Sequence, residues 1–423
     1  MPNGTRFGVL AAASTLLLSA CAGGSGASPS GSANPATAAA SASALTQVLV
    51  WADPAFAPTV EKLGADYEAS TGVNVYVVEK DLSKTLDDLP RLAPQGQGPD
   101  LLVGQSDWVG QLVDDGLLAP MDLAGQAPRF RSVSTQAFRY SDRDYGVPIS
   151  TENLALFRNT ALAPVPPQTI EEMATAGLKL KKAGDVDLPI ALPVGPQGDA
   201  YHWYPFYSAS GGYLFGQNQD GSYSAESLGI GEEGGIRAAQ ALAELTDEGA
   251  LDPAVTSSDA VDAFTAGRAA FLVSGPWAVQ PAKDAGIPLS VEPIPGFAST
   301  TRALTQALVT SEGFMLSAFA KQPAAAEEFL KSAIMTTPAM DALFAASGQV
   351  PAWSESYSSA AADPIIKGFG DFADASVPTP NLAVMGDVWV SLSRAEVDVM
   401  EGSAPARTMK RAGSEVQAAI DAG

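Results

Sequence analysis

A regular alternation of strand and helix patterns between Gln47 and Asp115 constrains the fold more than any other feature of this sequence. Buried strand patterns begin at Gln47, Val73 and Asp100, and a helix pattern follows each of them. Strands that alternate with helices form parallel sheets, and such sheets bind ligands at the carboxyl ends of their strands. The sequence therefore predicts an α/β protein with a binding rim. Asp53 after the first strand and the loop from Gly104 to Trp108 after the third lie on this rim.

The stretch from Tyr145 to Asn159 consists of two extended runs that meet at Ser150-Thr151-Glu152. The second run has apolar residues on both faces, which is typical of a strand buried on both sides. Different sets of elements precede and follow this stretch, so we interpret it as a crossing between two lobes. Glu152 would then lie in a cleft, where a carboxylate accepts hydrogen bonds from ligand hydroxyls. A solvated glutamate at a strand end is the alternative.

Two further crossings are predicted, at Val291–Pro295 and at Gly348–Pro351, and the chain after the last one is helical. Met385 and Trp389 are four residues apart near the start of one of these helices, so both could face one site.

Aromatic residues are concentrated in a helix pattern from Ala200 to Ser210, where Tyr201, Tyr204 and Tyr207 share a face. Buried phenol hydroxyls need polar partners, so we expect at least one end of this face to border a polar cavity. His202 lies in the same helix and is predicted to be a packed or partly exposed histidine rather than a catalytic one. Trp277 follows a strand and a Gly-Pro turn; taken alone, it is predicted to lie in the core.

Acidic pairs in the sequence are not by themselves a sign of catalysis. Thr169-Ile170-Glu171-Glu172 has the form of a helix capping box after Pro166-Pro167, so this acidic pair is predicted to be structural.

Charge and cysteine content exclude several classes of function. The chain of 423 residues has 24 basic and 47 acidic residues and a formal net charge of −23, which argues against a nucleic-acid or anionic-lipid partner. With one Cys and one His it has no disulfide within the chain and no zinc site built on these residues. A carboxylate site for calcium or magnesium is not excluded.

The single cysteine follows an apolar segment at the N-terminus. Phe7–Leu18 is too short for a stable membrane span, and Leu18-Ser19-Ala20-Cys21 resembles a bacterial lipobox, in which the cysteine carries lipid. Residues 22–44 are almost entirely Ala, Ser, Gly and Pro, which is typical of a flexible tether. We predict a signal peptide at 1–20 and a lipidated tether at 21–45.

The chain from about Gln47 to Ala422 resembles the solute-binding proteins of bacterial ABC importers, and among them the maltose/maltodextrin-binding proteins. The motifs that carry the resemblance are Val50-Trp51, Gly98-Pro99-Asp100-Leu101-Leu102, Asp114-Asp115-Gly116-Leu117-Leu118, Tyr145-Gly146-Val147-Pro148-Ile149, Glu152-Asn153-Leu154-Ala155-Leu156, Gly211-Gly212-Tyr213, Ala263-Phe264-Thr265-Ala266-Gly267, Ser274-Gly275-Pro276-Trp277 and Pro380-Asn381. The resemblance implies a two-lobed periplasmic-binding-protein fold with three hinge crossings and a ligand cleft between the lobes. The predicted lobes are residues 46–150 with 296–350, and 151–295 with 351–423.

The resemblance also implies a set of oligosaccharide-binding residues. Asp107 and Glu152 match family residues that bind sugar hydroxyls, and Asp199 takes the place of a family glutamate. Aromatic residues of the second lobe match positions that stack on sugar rings. The complete predicted set is Asp53, Asp107, Trp108, Glu152, Asp199, Tyr201, Tyr204, Trp277, Met385, Trp389 and Arg394.

The first-lobe half of this predicted site departs from the family pattern. Gly104 stands where maltose binders commonly carry a tryptophan, and Trp108 stands where they carry an arginine. The segment around Asp53 lacks the usual aspartate-lysine pair. Either Ser393 or Arg394 falls near a family arginine. The exact sugar and its preferred chain length stay open.

We therefore predict a binding protein without cofactor, metal or enzymatic activity, which captures maltodextrin-type oligosaccharides by hinge closure and delivers them to a membrane permease. It is expected to be a monomer anchored outside the cytoplasmic membrane through Cys21. Two alternatives remain: the same fold binding trehalose or another oligosaccharide, and a surface glycosidase using two carboxylates.

Overall fold

The strands and helices were located in a computed structural model that describes residues 46–219, 221–299 and 305–422. The strands are β1 (Gln47–Ala52), β2 (Asn74–Glu79), β3 (Leu101–Gln105), β4 (Leu118–Ala119), β5 (Arg139–Tyr140), β6 (Arg143–Asp144), β7 (Val147–Glu152), β8 (Ala155–Asn159), β9 (Phe215–Gln217), β10 (Tyr223–Leu228), β11 (Phe271–Ser274), β12 (Leu289–Glu292), β13 (Leu308–Ser317), β14 (Val350–Pro351) and β15 (Val377–Pro378). The predicted signal peptide, the tether and Cys21 lie outside the described residues.

Helices connect most of these strands. They are α1 (Ala57–Thr71), α2 (Leu82–Leu92), α3 (Val109–Asp114), α4 (Ser132–Ala137), α5 (Ile170–Ala183), α6 (Ala200–Ala209), α7 (Glu233–Asp247), α8 (Ser257–Thr265), α9 (Val279–Asp284), α10 (Pro323–Phe329), α11 (Thr337–Ser347), α12 (Ser354–Ala360), α13 (Pro364–Asp374), α14 (Met385–Met400) and α15 (Pro405–Ala422). None of the described helices is long and apolar enough to cross a membrane.

The larger sheet contains the strands predicted at the start of the chain. Its hydrogen-bonded order is β14-β7-β13-β3-β1-β2, and β4 and β15 also pair with β13. Strand β1 lies parallel to both β2 and β3, which confirms the predicted parallel unit. Apolar side chains of β1, β3 and β13 pack against α1 and the α10–α11 region in one buried cluster.

The smaller sheet has the order β11-β8-β12 and lies in a separate hydrophobic cluster. Every residue of β8 is buried, as the apolar pattern on both of its faces predicted. Strand β7 belongs to the larger sheet and β8 to the smaller one, so Glu152, at the end of β7, lies where the chain crosses between them. The two sheets form the centres of two lobes.

The predicted capping box at Thr169 is structural, as expected, but the Glu172 side chain bonds to the amide of Gln168 rather than to that of Thr169. The Thr169 hydroxyl accepts from the Glu172 amide at 3.1 Å, and the Glu172 carboxylate accepts from the amide of Gln168 at 2.8 Å. Glu171 accepts from the amide of Ala298 at 3.1 Å, so both carboxylates serve to fix the start of α5.

Candidate functional site

A cavity of about 400 Å³ lies between the larger sheet and the helices α6 and α14. Its volume falls within the range of small-molecule sites, roughly 300–1,000 Å³. Its lining combines carboxylates, small polar groups and two aromatic rings. The lining residues are Gln105, Asp107, Glu152, Gly198, Asp199, Ala200, Tyr201, Thr310, Thr379, Trp389 and Ser393.

Separate parts of the chain converge on this cavity. Glu152 ends β7 at the crossing, and Asp107 lies in a helical turn immediately after β3. Tyr201 lies in the first turn of α6, and Trp389 and Ser393 are one turn apart on α14. The structure thus brings together five of the predicted site residues, of which Asp199 is the fifth.

Side chains of α14 hold the start of α6 against the cavity. The Ser393 hydroxyl accepts a hydrogen bond from the Ala200 amide at 3.1 Å, and a carboxylate oxygen of Glu396 accepts from the Asp199 amide at 2.6 Å. Gly198 has φ of +76°, and a Cβ there would lie 2.0 Å from the carbonyl oxygen of Ser393. This close approach requires glycine and fixes where Tyr201 stands.

The Asp199 side chain hydrogen bonds to the first turn of its own helix. Its side chain accepts from the amide of His202 at 3.1 Å and contacts Nδ1 of the same histidine at 2.8 Å. It is therefore the N-cap of α6 as well as part of the cavity wall. His202 is buried, as predicted for a packed histidine.

Asp107 and Glu152 have carboxylates that are available to a ligand. Oδ1 of Asp107 is buried and has no hydrogen-bond partner, and no hydrogen bond from a described residue reaches the Glu152 carboxylate. Burial raises the pKa of Asp107 to about 6. Burial, with a smaller contribution from the charge of Asp107, also raises the pKa of Glu152. For Asp107 the one offsetting hydrogen bond comes from its own backbone amide, and it is outweighed by desolvation.

Asp53 lies outside the cavity lining and pairs with a residue that the sequence did not single out. Its carboxyl lies close enough to that of Glu312 on β13 for the two groups to interact electrostatically, and burial raises the pKa of Asp53. Burial, followed by the charge of Asp53, raises the pKa of Glu312 to about 8. The Gln349 side chain accepts from the Ser150 hydroxyl at 2.5 Å, and this bond connects the predicted first and third crossings.

Four rings form a row that leaves the cavity along the second lobe. Their order is Trp389, Tyr201, His202 and Trp277, with centroids 6.5, 5.6 and 6.1 Å apart. Neighbouring rings are close to perpendicular, with interplanar angles of 81°, 86° and 78°. Apolar ring faces and ring edges therefore alternate along this row.

The prediction that Trp277 lies in the core is wrong, because its side chain is 42% exposed. A Cβ at position 275 would lie 2.1 Å from the Trp277 ring, so the indole folds back over Gly275 and ends beside His202. Because residue 275 has no side chain, the indole packs flat on the backbone at the protein surface instead of being enclosed in the core.

The two departures from the family pattern at Gly104 and Trp108 are related in space. A Cβ at position 104 would lie 2.5 Å from Cζ3 of Trp108. The Trp108 indole therefore occupies the room above β3 that a side chain at position 104 would need. Trp108 packs against the hydrophobic cluster beneath this turn and is not part of the described cavity lining.

Three other predicted site residues lie away from the cavity. Met385 is buried in the core of the second lobe, and Arg394 lies 3.6 Å from Glu415 with a 56% exposed side chain. Ser393, rather than Arg394, lines the cavity. Tyr204 borders a larger cavity, of about 660 Å³, together with Tyr213 and Tyr223.

Some cavity residues were not identified from the sequence. Thr310 and Thr379 line it and hydrogen bond to each other at 2.9 Å, and Gln105 lies beside them. The position of Gln105 at the carboxyl end of a parallel strand was the one available signal. No sequence signal identified Glu396, which holds Asp199 from behind the lining, because a single acidic residue on a helix is ordinarily exposed. In the described part of the chain, no group of three or more His, Cys, Asp or Glu side chains is placed to hold a metal.

Comparison with known proteins identifies the family. The bacterial extracellular solute-binding protein family matches residues 62–368, so the chain belongs to that family. A galactooligosaccharide-binding protein of Bacillus subtilis (strain 168) is 28% identical, over 98% of this chain and 96% of its own length. The maltodextrin-binding protein MdxE of the same organism is 25% identical over 82% of this chain and 84% of its own. These relatives are binding proteins, and the chain is not an enzyme.

Solved structures confirm the predicted fold class. A cyclo/maltodextrin-binding protein complexed with maltotetraose has a TM-score of 0.81 at 24% identity, covering 88% of this chain and 97% of its own. An extracellular solute-binding protein of Staphylococcus aureus in complex with maltose has a TM-score of 0.79 at 24% identity, covering 89% and 98%. Both likenesses support the two-lobed α/β architecture.

Proposed function

We propose that this protein captures oligosaccharides in the cavity at Asp107 and Glu152 and delivers them to an ABC permease in the cytoplasmic membrane. The observation that carries the proposal is the combination of the Asp107 and Glu152 carboxylates with the rings of Tyr201 and Trp389 in one cavity. A pyranose has apolar C–H faces and a rim of hydroxyls. Aromatic planes and carboxylate acceptors are the groups that complement it.

The row of rings from Trp389 to Trp277 supports a ligand longer than one sugar. Its two ends are rings that a ligand can reach, Trp389 in the cavity wall and the exposed indole of Trp277, and Tyr201 and the buried His202 lie between them. A sugar chain can place one ring in the cavity and further rings along this row. The ligand class is therefore an oligosaccharide rather than a monosaccharide.

Maltodextrins are the first candidate ligands, because the predicted stacking residues Tyr201, Trp277 and Trp389 lie in a single row. Galacto-oligosaccharides are the second, because the relative named for them aligns along 98% of this chain. Trehalose or another oligosaccharide remains the third. Gly104 and Trp108 depart from the maltose-binding pattern on the first-lobe side, so that pattern does not decide among these sugars.

Closure of the two lobes is the proposed mechanism of capture. Asp107 and Glu152 reach the ligand from the first lobe and the crossing, and Tyr201 and Trp389 reach it from the second. A ligand that contacts both sides binds best when the lobes are close, so it shifts the population toward the closed form. The lobe boundaries predicted above, a lipid anchor on Cys21 and a monomeric state belong to this proposal.

Calorimetric titration of the purified protein tests the proposal. We expect micromolar or tighter binding of maltotriose or of a galactotriose, with no monosaccharide released into the mixture. Trehalose in the same series tests the third candidate. Release of monosaccharide at a rate that scales with the protein would contradict the proposal, and so would the absence of binding to a wider panel of neutral oligosaccharides.

A further inference from the structure

The described cavity lining holds three carboxylates, those of Asp107, Glu152 and Asp199, and no lysine or arginine. Two buried arginines of the described residues are paired with carboxylates elsewhere. Arg131 pairs with Asp374 at 2.8 Å, and the Arg158 guanidinium pairs with Glu292. Negative charge at the cavity is therefore not balanced by a basic side chain from the lining.

Asp53 and Glu312 are further acidic groups near the cavity, although burial raises the pKa of Glu312 to about 8 and so keeps a proton on it at lower pH. Glu152 interacts electrostatically with Glu312 as well as with Asp107. Glu396, which is fully buried, hydrogen bonds to the backbone at Asp199. Acidic groups thus surround the cavity on the sides formed by β7, β13 and α14.

One cavity carboxylate points to a ligand donor. Oδ1 of Asp107 is buried and without a partner, and an unpaired buried acceptor costs free energy until a donor reaches it. The hydroxyls of Thr310 and Thr379 bond to each other at 2.9 Å. A donor on a bound ligand would satisfy this oxygen of Asp107.

We propose that the cavity selects saccharides by charge, so that amino sugars bind more tightly than neutral sugars and uronic acids are excluded. This inference rests on the proposed function and specifies the substrate class of the same site. An ammonium group donates to Asp107 and Glu152 and balances their charge. A ligand carboxylate meets unpaired acceptors, and no basic side chain of the lining compensates for it.

Three matched trisaccharides test the inference by calorimetry at pH 7.5. The first is the neutral trisaccharide that binds most tightly. The second has a 2-amino-2-deoxy sugar in place of one terminal sugar, and the third has a uronic acid at the same position. Both analogues are prepared in two forms, one modified at the reducing end and one at the non-reducing end. For the end that occupies the cavity, we expect the amino analogue to bind about tenfold more tightly and the uronate at least about tenfold more weakly than the neutral compound. These factors correspond to one charge pair near a protein surface, reduced by solvent screening.

Asp107→Asn is expected to reduce the difference between amino and uronate ligands at least about threefold. The matched control Asp387→Asn removes a charge from an exposed position on α14 and should leave that difference unchanged. A uronate that binds within threefold of the neutral compound at both ends would overturn the charge selection while the proposed function stands. If no neutral compound binds, the proposed function fails. If the amino analogue binds in that case, the charge selection is still supported. If the amino analogue also fails to bind, both the charge selection and the proposed function are overturned.

Discussion

Replacing Trp389 by alanine is expected to weaken oligosaccharide binding about 30- to 100-fold, which corresponds to roughly 2–3 kcal/mol. Trp389 lines the cavity and stands at 81° to the ring of Tyr201, 6.5 Å away. Its loss removes one of the two walls against which a sugar ring packs. Titration calorimetry of the variant and the parent protein with the same oligosaccharide measures the effect.

Two further variants separate loss of stacking from loss of folding. Trp389→Phe keeps an aromatic plane and should recover most of the affinity. Val390→Ala changes the adjacent residue on α14, whose side chain is 60% exposed, and should bind like the parent. Equal affinity of Trp389→Ala and the parent protein, with both variants folded, would show that sugar does not stack on this ring.

The second large effect concerns the stability of the fold rather than binding. The folded-state pKa of Glu312, about 8, lies above its ordinary value of 4.5. The folded protein therefore keeps a proton here that the unfolded chain releases. The stability contributed by this proton is fully present below the ordinary value and is lost as pH rises through about 8. We expect the free energy of unfolding to be lower at pH 8.5 than at pH 6.

Glu312→Gln isolates the contribution of this group. Glutamine stays neutral beside Asp53 at every pH, so the variant should be more stable than the parent at pH 8.5, by on the order of 2 kcal/mol. Urea denaturation at both pH values measures this, with Glu61→Gln, an exposed position on α1, as the matched control. An unchanged pH dependence in Glu312→Gln would mean that the Asp53–Glu312 pair does not hold the proton.

Local patterns in the sequence were sufficient for much of the fold. The helix pattern predicted after the second strand corresponds to α2, and the helix predicted to begin near Met385 corresponds to α14. The doubly apolar run around Leu156 predicted a strand buried on both faces. These elements depend on their own residues, because hydrophobic periodicity decides both the type of element and its buried face.

The parts of the site that escaped prediction depend on contacts between distant segments. The exposure of Trp277 depends on Gly275 beneath its ring and on His202 of α6 beside it. The pairing of Asp53 with Glu312 depends on β13 returning to the larger sheet late in the chain. The choice between Ser393 and Arg394 depends on the rotation of α14 against α6. Periodicity carries no information about such pairings.

A crystal structure of the protein with its bound oligosaccharide tests the central claim most directly. We expect one sugar ring against Trp389 and Tyr201, with its hydroxyls or amino group within hydrogen-bond distance of Asp107 and Glu152. The rest of the chain should extend toward Trp277. A sugar found instead in the larger cavity beside Tyr204 and Tyr213, with the cavity at Asp107 empty, would contradict this assignment of the site.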